Sequence, residues 1–295
     1  MDLRRAKDRL AGRFFLLLTV LCCLLVVALS VGLYWKATPL LSTQPLTGIL
    51  FSSDWSPGNG HFGLLSFLAG TVYVTVLAMI ICVPVSILAA IYLAEYAPRA
   101  VRYTILPMMD LLSGIPSVIF GIFGVLVIVP AIGRLALSFG IYSSGYCLLS
   151  GAIVLAIMAC PFIINVSHEV LAGVPDGLRE ASLALGATRW QTVKHVVLRK
   201  ARPGVLAAIM LGFARAIGET IAVLMVVGNI PMIPRSLFDP AYPLPALLAN
   251  NYGEMMSIPH YDSALMLSAL VLLIIVLCFN LVAKATLIMI RSDAT

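Results

Sequence analysis

The sequence contains six apolar stretches that are each long enough to cross a lipid bilayer as a helix. The first, Phe14–Tyr34, would be about 31 Å long as a helix, against a hydrocarbon core of about 30 Å. Hydrophobic residues make up 61% of the chain and charged residues 11%, a composition that excludes a soluble domain. We therefore predict an all-α, polytopic membrane protein. Its six transmembrane helices are expected at about 14–35, 64–93, 105–130, 146–167, 205–228 and 264–288.

Lysine and arginine are distributed unevenly between the segments that connect these helices. Of the 18 other than Arg215, 15 fall in the N-terminal segment, the segment before the third span, the 168–203 loop and the C-terminal end. Segments rich in lysine and arginine stay in the cytoplasm. We therefore predict a multi-pass protein of the cytoplasmic (inner) membrane with both termini in the cytoplasm. This topology accounts for the net charge of +6, so no nucleic acid partner is expected.

The longest predicted cytoplasmic loop carries the start and stop signals of two short helices. Asp176 is predicted to cap a helix that runs through Leu185. Gly186 is predicted to end it, because glycine accepts the left-handed conformation of a helix terminus. Thr188 and Gln191 have the spacing of a capping box, which begins a second helix. We expect a compact helix–glycine–helix element that forms a docking surface beside the membrane.

The second short helix is expected to bury one face and then give way to the fifth span. Its apolar face is formed by Trp190, Val193 and Val197. Pro203, followed by glycine, is predicted to stop this helix, because proline lacks a main-chain N–H. Small residues then recur every four positions, which lets another helix approach closely. These small residues are Gly204, Ala208, Gly212 and Ala216.

The fifth predicted span contains two charged residues, Arg215 and Glu219, which would lie one turn apart on a helix. Arg215 would lie about 15 Å inside a hydrocarbon core roughly 30 Å thick. A charge at that depth is costly and persists where it is paired or faces water or substrate. The two residues are interpreted either as a structural ion pair or as part of a substrate pathway. The planar guanidinium matches a tetrahedral oxyanion such as phosphate, and Glu219 would neutralise Arg215 when the anion is absent.

Other polar residues have less specific interpretations. Asp110 is expected either to face a cavity or to cap the third span, and Glu95 to have a structural role at an inner helix end. The four histidines are expected to be solvated or interfacial. Since no two of them have metal-ligand spacing, we predict no metal site and no cofactor. The sequence contains no Gly-x4-Gly-Lys-Ser/Thr loop, so we predict a transport subunit that is not an enzyme and takes any ATP-driven power from another chain.

The two long outer loops, about 37–63 and 229–263, are rich in turn-forming residues. Trp35 and Trp55 are expected to anchor the outer membrane interface. A short apolar piece, Ala246–Met256, is expected to dip against the outer membrane face. The stiffness that proline gives the second loop is consistent with a contact surface for an external partner or with an ordinary structured loop.

Several stretches resemble a known family. Glu180-Ala181-Ser182-x3-Gly186-x9-Val196-x-Leu198 resembles the EAA loop of the permease subunits of binding-protein-dependent ABC importers. This sequence departs from that pattern at Ser182, where alanine is usual, and at Arg199, where proline is usual. Three further stretches resemble the phosphate-specific (Pst) permeases of the PstC type. They are Tyr92–Pro98, Ser113–Ser117 and Gly212–Thr220.

The resemblance implies a type I ABC importer permease fold. It implies a tail, first helix and first loop at 1–60, and an ABC transmembrane type-1 domain at 61–291. In that family the EAA loop docks on the ATPase, so the implied coupling residues are Glu180, Ala181 and Gly186. Phosphate passage is implied at Arg215 and Glu219.

The implied partners are a second permease subunit, two ATPase subunits and an external phosphate-binding protein, in a lipid membrane. The function implied is inward translocation of inorganic phosphate. Two alternatives remain open: a permease for another oxyanion or a phosphonate, and a stand-alone anion channel or secondary carrier. An intramembrane enzyme is disfavoured, because no Ser/His/Asp or paired-carboxylate arrangement is visible.

Overall fold

The computed structural model describes residues 2–254 and 257–292, which form helices joined by short turns. In chain order the helices are α1 (Asp2–Thr43), α2 (Leu46–Phe51), α3 (Leu65–Ile91), α4 (Arg99–Gly114), α5 (Ser117–Phe123), α6 (Val129–Ser138), α7 (Leu148–Ala172), α8 (Asp176–Ala184), α9 (Arg189–Thr192), α10 (Leu198–Ile217), α11 (Ile221–Leu224), α12 (Leu244–Asn251) and α13 (Tyr261–Ser292). A small antiparallel hairpin of β1 (Trp55–Ser56) and β2 (His61–Phe62) follows α2. Wider, π-helical turns lie at Tyr92–Tyr96, Gly124–Ile128 and Val193–Val197. The all-α prediction is confirmed.

Within the described residues, 5 helical stretches are long and apolar enough to cross a membrane. They are Leu10–Thr43, Leu65–Tyr96, Ser117–Ser138, Leu148–Ala172 and Tyr261–Val282. The first, second, fourth and sixth predicted spans correspond to four of these stretches. The third and fifth predicted spans differ from the structure because the chain breaks inside each of them.

The third predicted span, 105–130, is wrong in its placement. α4 ends at Gly114, and Ile115 is extended, with φ −66° and ψ 132°. A residue before proline is pushed out of the helical region, so Pro116 ends α4 here. The membrane-crossing stretch instead runs from Ser117 to Ser138.

The fifth predicted span, 205–228, is two helical pieces. Pro203 does not stop the preceding helix, because α10 runs through it. Proline removes one main-chain donor, and the exposed start of α10 at Arg199 allows water to bind the freed carbonyl. α10 ends at Ile217, and a turn at 218–220 separates it from α11. The apolar sequence therefore continues beyond residues 218–220, although the helix is interrupted there.

The stripe of small residues on α10 packs closely against α7, as predicted. A Cβ atom added to Gly212 would lie 2.5 Å from Cγ1 of Ile163, too close for any real side chain. Ala208 and Ala216 on the same stripe are buried. α7 also packs along α3, and together these helices enclose the largest buried apolar cluster. The close contact holds α10 at a fixed position on α7.

The first loop and α12 cover the helix ends that are expected on the outer side of the membrane. Trp55 packs edge-on against Phe62 and Phe67, with ring centres 5.8 and 5.0 Å away. Trp55 is therefore part of a packed aromatic cluster but only partly buried, so its role as a membrane anchor stays a prediction. Trp35 is 78% exposed, so its anchoring role stays a prediction.

The predicted apolar piece of the second outer loop corresponds largely to α12. Its side chains Leu244, Ala246 and Leu247 are buried in a cluster with residues of α3 and α13. Ala246 and Leu247 therefore fill the protein interior, whereas Tyr252 is 66% exposed, so the contact of this piece with the outer membrane face stays a prediction. Residues 255–256 of the predicted piece lie outside the described part of the chain.

α1 has a different environment from the other long helices. It packs against α13, and the side chains of its apolar middle, such as Leu17, Leu25 and Val27, are exposed. Among residues 10–43 of this helix, the fully buried side chains are Ala37 and Leu40, near the end that leads into α2. In a bilayer this exposed surface is available to lipid.

Candidate functional site

The 168–203 loop forms the helix–glycine–helix element expected from the sequence. α8 ends at Ala184, one residue before the predicted end, and Gly186 has φ +85°. Its N–H donates to the carbonyl of Leu183 at 2.9 Å, which closes the turn. A Cβ atom added to Gly186 would meet nothing within 4 Å. The need for glycine therefore comes from the backbone conformation and not from crowding.

The start of α8 differs from the prediction. Pro175 holds the N-cap position, and Asp176 is the first helical residue and makes no cap hydrogen bond. The side chain of Asp176 instead lies 3.0 Å from Nη1 of Arg179. A proline at this position already has an extended backbone, so the helix begins without a side-chain cap.

The predicted capping box is confirmed. The N–H of Gln191 donates to Oγ1 of Thr188 at 3.3 Å, and the N–H of Thr188 donates to Oε1 of Gln191 at 2.8 Å. The hydroxyls of Ser182 and Thr192 are 2.9 Å apart, which joins α8 to α9. Ser182, where the EAA pattern usually has alanine, thus ties the two short helices together.

The outer face of this element is exposed, and its inner face is packed. Val193 and Val197 are buried, as predicted, whereas Trp190 is 54% exposed. Glu180 and Ala181 are also exposed, and Leu185 is 90% exposed. The element therefore presents a carboxylate beside bare apolar side chains, which is the composition of a protein docking surface.

Arg179 is a site residue that sequence reasoning missed. Its guanidinium forms an ion pair with Glu95 at 2.8 Å, and their side chains are only 16% and 9% exposed. It also donates to the carbonyls of Leu171 and Val174. Glu95 holds the pKa of Arg179 above its ordinary value. The structural role predicted for Glu95 is thereby confirmed, but its partner is 84 residues away in the chain and gives no local sequence signal.

Arg215 lies in the last turn of α10, on an exposed surface. Its guanidinium carbon is 5.5 Å from the centre of the Phe162 ring on α7. Nη2 donates to the carbonyl of Ser113 on α4 at 3.4 Å. Arg215 thus projects from α10 towards α4 and α7, with most of its donors still available.

The predicted ion pair between Arg215 and Glu219 does not form. Glu219 follows Gly218, beyond the end of α10, so the one-turn spacing of a helix does not apply. Oε1 of Glu219 instead accepts from the N–H of Ala222 at 3.4 Å, at the start of α11. In the described part of the chain, Arg215 has no carboxylate within 4.0 Å.

Asp110 lies inside α4 and does not cap a helix. Its Oδ1 accepts from Nδ2 of Asn165 on α7 at 2.6 Å. Asp110 also borders an open cavity of about 650 Å³, lined further by Pro107 and Pro116. One turn away along α4, Ser113 carries a buried hydroxyl that has no hydrogen-bond partner among the described residues. Asn165 is a second residue that sequence reasoning missed.

The histidines are not all solvated. His61 is exposed and lies 3.0 Å from Asp54. His168 is buried in α7, contrary to the prediction, because the helix extends five residues beyond the expected end of the fourth span. Within residues 2–254 and 257–292, no group of three or more histidine, cysteine, aspartate or glutamate side chains is arranged to hold a metal ion.

The fold is that of the membrane subunits of type I ABC importers. A chain of a bacterial ABC transporter involved in the import of the acidic polysaccharide alginate superposes with a TM-score of 0.60. It is 15% identical, and the match covers 90% of this chain and 89% of that one. A chain of the MetNI methionine ABC transporter gives a TM-score of 0.55 at 22% identity, covering 77% and 94% of the two chains.

Residues 83–288 match the family described as binding-protein-dependent transport system inner membrane component, and the protein belongs to this family. It is 36% identical to the probable ABC transporter permease protein YqgH of Bacillus subtilis, over 95% of this chain and 91% of that one. It is also 36% identical to the phosphate transport system permease protein PstC of Xylella fastidiosa, over 97% and 93%. A probable PstC of Methanocaldococcus jannaschii is 32% identical over 88% and 87%.

Proposed function

We propose that this protein is the permease subunit of an ATP-driven importer that carries inorganic phosphate into the cytoplasm. The observation that carries the proposal is Arg215, an exposed guanidinium in the last turn of α10 that has no carboxylate partner among the described residues. An unpaired arginine within a membrane protein is costly unless it meets water or an anion. The similarity to proteins named as phosphate permeases supports phosphate as that anion.

The geometry around Arg215 supports binding of a tetrahedral oxyanion. The guanidinium carbon lies 5.5 Å from the centre of the Phe162 ring, and Nη2 donates to the carbonyl of Ser113. Such an arrangement leaves paired N–H donors free for two oxygens of one anion. Glu219 also belongs to the proposed pathway, although not as an ion-pair partner. It would help to fix α11, the short helix beyond the break that follows Arg215.

The helix–glycine–helix element is proposed as the coupling loop. Glu180, Ala181 and Gly186 would form its contact with an ATPase subunit, of which an importer of this kind has two. A second permease subunit would complete the pathway, and an external phosphate-binding protein would deliver the anion. The exposed Glu180 and the left-handed Gly186 support this assignment.

The proposed orientation places the coupling loop and both termini in the cytoplasm, in the cytoplasmic (inner) membrane. Residues 1–60 would form a tail, first helix and outer loop, and residues 61–291 the transport domain. Met1 and residues 293–295 lie outside the described part of the chain. The excess of lysine and arginine in the inner segments supports this orientation.

Orientation is tested by cysteine labelling in a variant that lacks the native cysteines. Asp176→Cys and Tyr142→Cys replace side chains that are highly exposed in loops on opposite sides of the proposed membrane. In intact spheroplasts, a membrane-impermeant thiol reagent should label Tyr142→Cys and leave Asp176→Cys unlabelled. The opposite pattern would reverse the orientation and remove the coupling role.

Substrate and class are tested in reconstituted vesicles that contain the complex purified in mild detergent. We expect ATPase subunits to copurify, and excess phosphate to compete with labelled phosphate uptake far better than sulfate or phosphonates. Stronger competition by sulfate or a phosphonate would identify a permease for that anion. Uptake by the chain alone, without an ATPase, would identify a channel or secondary carrier.

A further inference from the structure

The inner end of α3 is held by three arginines that come from three different elements. The π-helical turn Tyr92–Tyr96 continues α3 at this end. Arg102 of α4, Arg179 of α8 and Arg189 of α9 all contact this turn. We call these three side chains, together with the residues Leu93–Tyr96 that they contact, the arginine junction. π-helical turns occur often at functional sites, because they interrupt the regular hydrogen-bond ladder.

Two of the three arginines attach the coupling loop to α3. Arg179 donates three hydrogen bonds to the carboxylate of Glu95, at 2.8, 3.1 and 3.4 Å. The guanidinium carbon of Arg189 lies 5.4 Å from the centre of the Tyr96 ring. Because α8 and α9 are themselves joined through the hydroxyls of Ser182 and Thr192, the loop is attached to the turn as one unit.

The third arginine attaches α4 to the same turn. Nε of Arg102 donates to the carbonyl of Leu93 at 3.0 Å, and Nη2 donates to that of Ala94 at 2.8 Å. α4 then runs to Gly114 with Pro107 inside it, which removes one main-chain hydrogen bond. Ser113, whose carbonyl accepts from Arg215, lies about 17 Å further along this helix. The arginine junction and Arg215 are therefore connected through one helix.

We propose that the arginine junction transmits movement of the coupling loop to α3 and α4, and that Glu95 and Arg179 are its positioning residues. This inference rests on the proposed docking of the loop on an ATPase. α8 presents Glu180 outwards to the docking surface and the adjacent Arg179 inwards to Glu95. A displacement of α8 by the ATPase would pass through this buried pair to α3, and through Arg102 along α4 towards Arg215.

The test uses the complete transport complex in proteoliposomes and compares two conservative variants. Glu95→Gln keeps the size of the side chain and removes the charge that holds Arg179. Asp176→Asn is the matched control, because it removes the other carboxylate beside Arg179. The side chain of Asp176 is 88% exposed. We expect Glu95→Gln to assemble normally and to import at least about fivefold less phosphate per ATP hydrolysed, a typical size for coupling between sites. Asp176→Asn should retain the wild-type ratio.

A second pair of variants probes the junction without touching the buried ion pair. Tyr96→Leu removes the ring beneath Arg189, whereas Tyr92→Leu removes a similarly exposed tyrosine of the same turn. We expect Tyr96→Leu to lower the phosphate-to-ATP ratio by about twofold, in line with an exposed cation–π contact. Tyr92→Leu should leave the ratio unchanged. Equal ratios for these two variants would overturn the proposal.

The ratio of phosphate to ATP separates transmission from a structural role. If Glu95→Gln lowers the amount of assembled complex but leaves the ratio unchanged, the ion pair only stabilises the fold and the proposal is wrong. A wild-type complex that carries another anion would correct the proposed substrate. In that case the same ratio, measured with that anion, decides whether the arginine junction transmits movement.

Discussion

The coupling loop and the surroundings of Arg215 differ in how their geometry is determined. In the loop, the positive φ of Gly186 forms the turn between the two short helices, and the capping box joins Thr188 to a residue three positions away. Around Arg215, the contacts come from Ser113 on α4 and Phe162 on α7. The first region is set by local chemistry and the second by packing between distant helices. The two should therefore respond differently to substitution.

The largest effect is expected at Arg215. Arg215→Gln should reduce phosphate uptake by roughly 10- to 100-fold, the size of a lost hydrogen bond to a charged group. Assembly should be retained, because the side chain is exposed and its described protein contacts are one long hydrogen bond to Ser113 and the ring of Phe162. Arg215→Lys should also be impaired, since a point charge cannot form the paired contacts of a guanidinium. Uptake in proteoliposomes and the yield of purified complex measure the two properties.

Substitution of Glu219 tests whether Arg215 acts through an ion pair. Because the two residues form no ion pair in the structure, the effects of Arg215→Gln and Glu219→Gln on stability should add to within about 0.5 kcal/mol in the double variant. A larger coupling energy would show that the pair forms in another state. Restoration of uptake by the double variant would show that the pair is structural, and Arg215 would then not be a substrate site.

The next effect in size is expected in the coupling loop. Gly186→Val places a β-branched residue at φ +85°, which costs at least about 1–2 kcal/mol. Glu180→Lys reverses an exposed charge. Each of these two variants should leave the protein inserted but abolish the stimulation of ATP hydrolysis by substrate. Gly177→Val is the matched control, because Gly177 lies in α8 with open space around it and an ordinary backbone. Normal stimulated hydrolysis in Gly186→Val and Glu180→Lys would contradict the coupling assignment.

A smaller effect is expected where α10 packs on α7. Gly212→Ala should destabilise the protein by about 1–3 kcal/mol, because its methyl group would collide with Ile163. In the Ile163→Ala background, where the colliding atoms are absent, Gly212→Ala should cost less stability than it does in the wild type. Thermal unfolding in detergent measures the two costs. An equal cost in both backgrounds would mean that the helices do not meet at this point.

The smallest effect is expected at the capping box. Thr188→Ala removes the acceptor for the N–H of Gln191 and should cost about 1 kcal/mol. Thr188→Ser, which keeps the hydroxyl, is the control and should remain close to wild type. The effect should appear as faster hydrogen exchange confined to α9. A change that spreads to α10 would show that the two regions are not independent.

The sequence predicted the class of fold and most of the coupling loop, because these depend on composition, apolar length and neighbouring residues. It failed where an apolar run crosses a break in the helix. Pro116 was placed inside the third span although it ends α4, and Gly218 inside the fifth although it ends α10. A hydropathy average over many residues does not detect such breaks, because a single residue is enough to end a helix.

The candidate site could be predicted residue by residue only in part. Arg215 stood out as a charge in an apolar span, but its partner was wrongly taken to be the carboxylate four positions away. The actual neighbours, and the pairing of Arg179 with Glu95, join positions that are far apart in the chain. Contacts of this kind follow from how helices pack, and one sequence carries no direct record of them.

The packing of α1 against α13 has a consequence for biosynthesis. These two helices lie at opposite ends of the described chain, so the contact has one of the largest sequence separations in the fold. After insertion, α1 is surrounded by lipid and lacks its packing partner until α13 has been synthesised. Contacts of such long range form late. The transport core can therefore assemble before α1 docks, and the last step of maturation is the meeting of the first and last helices.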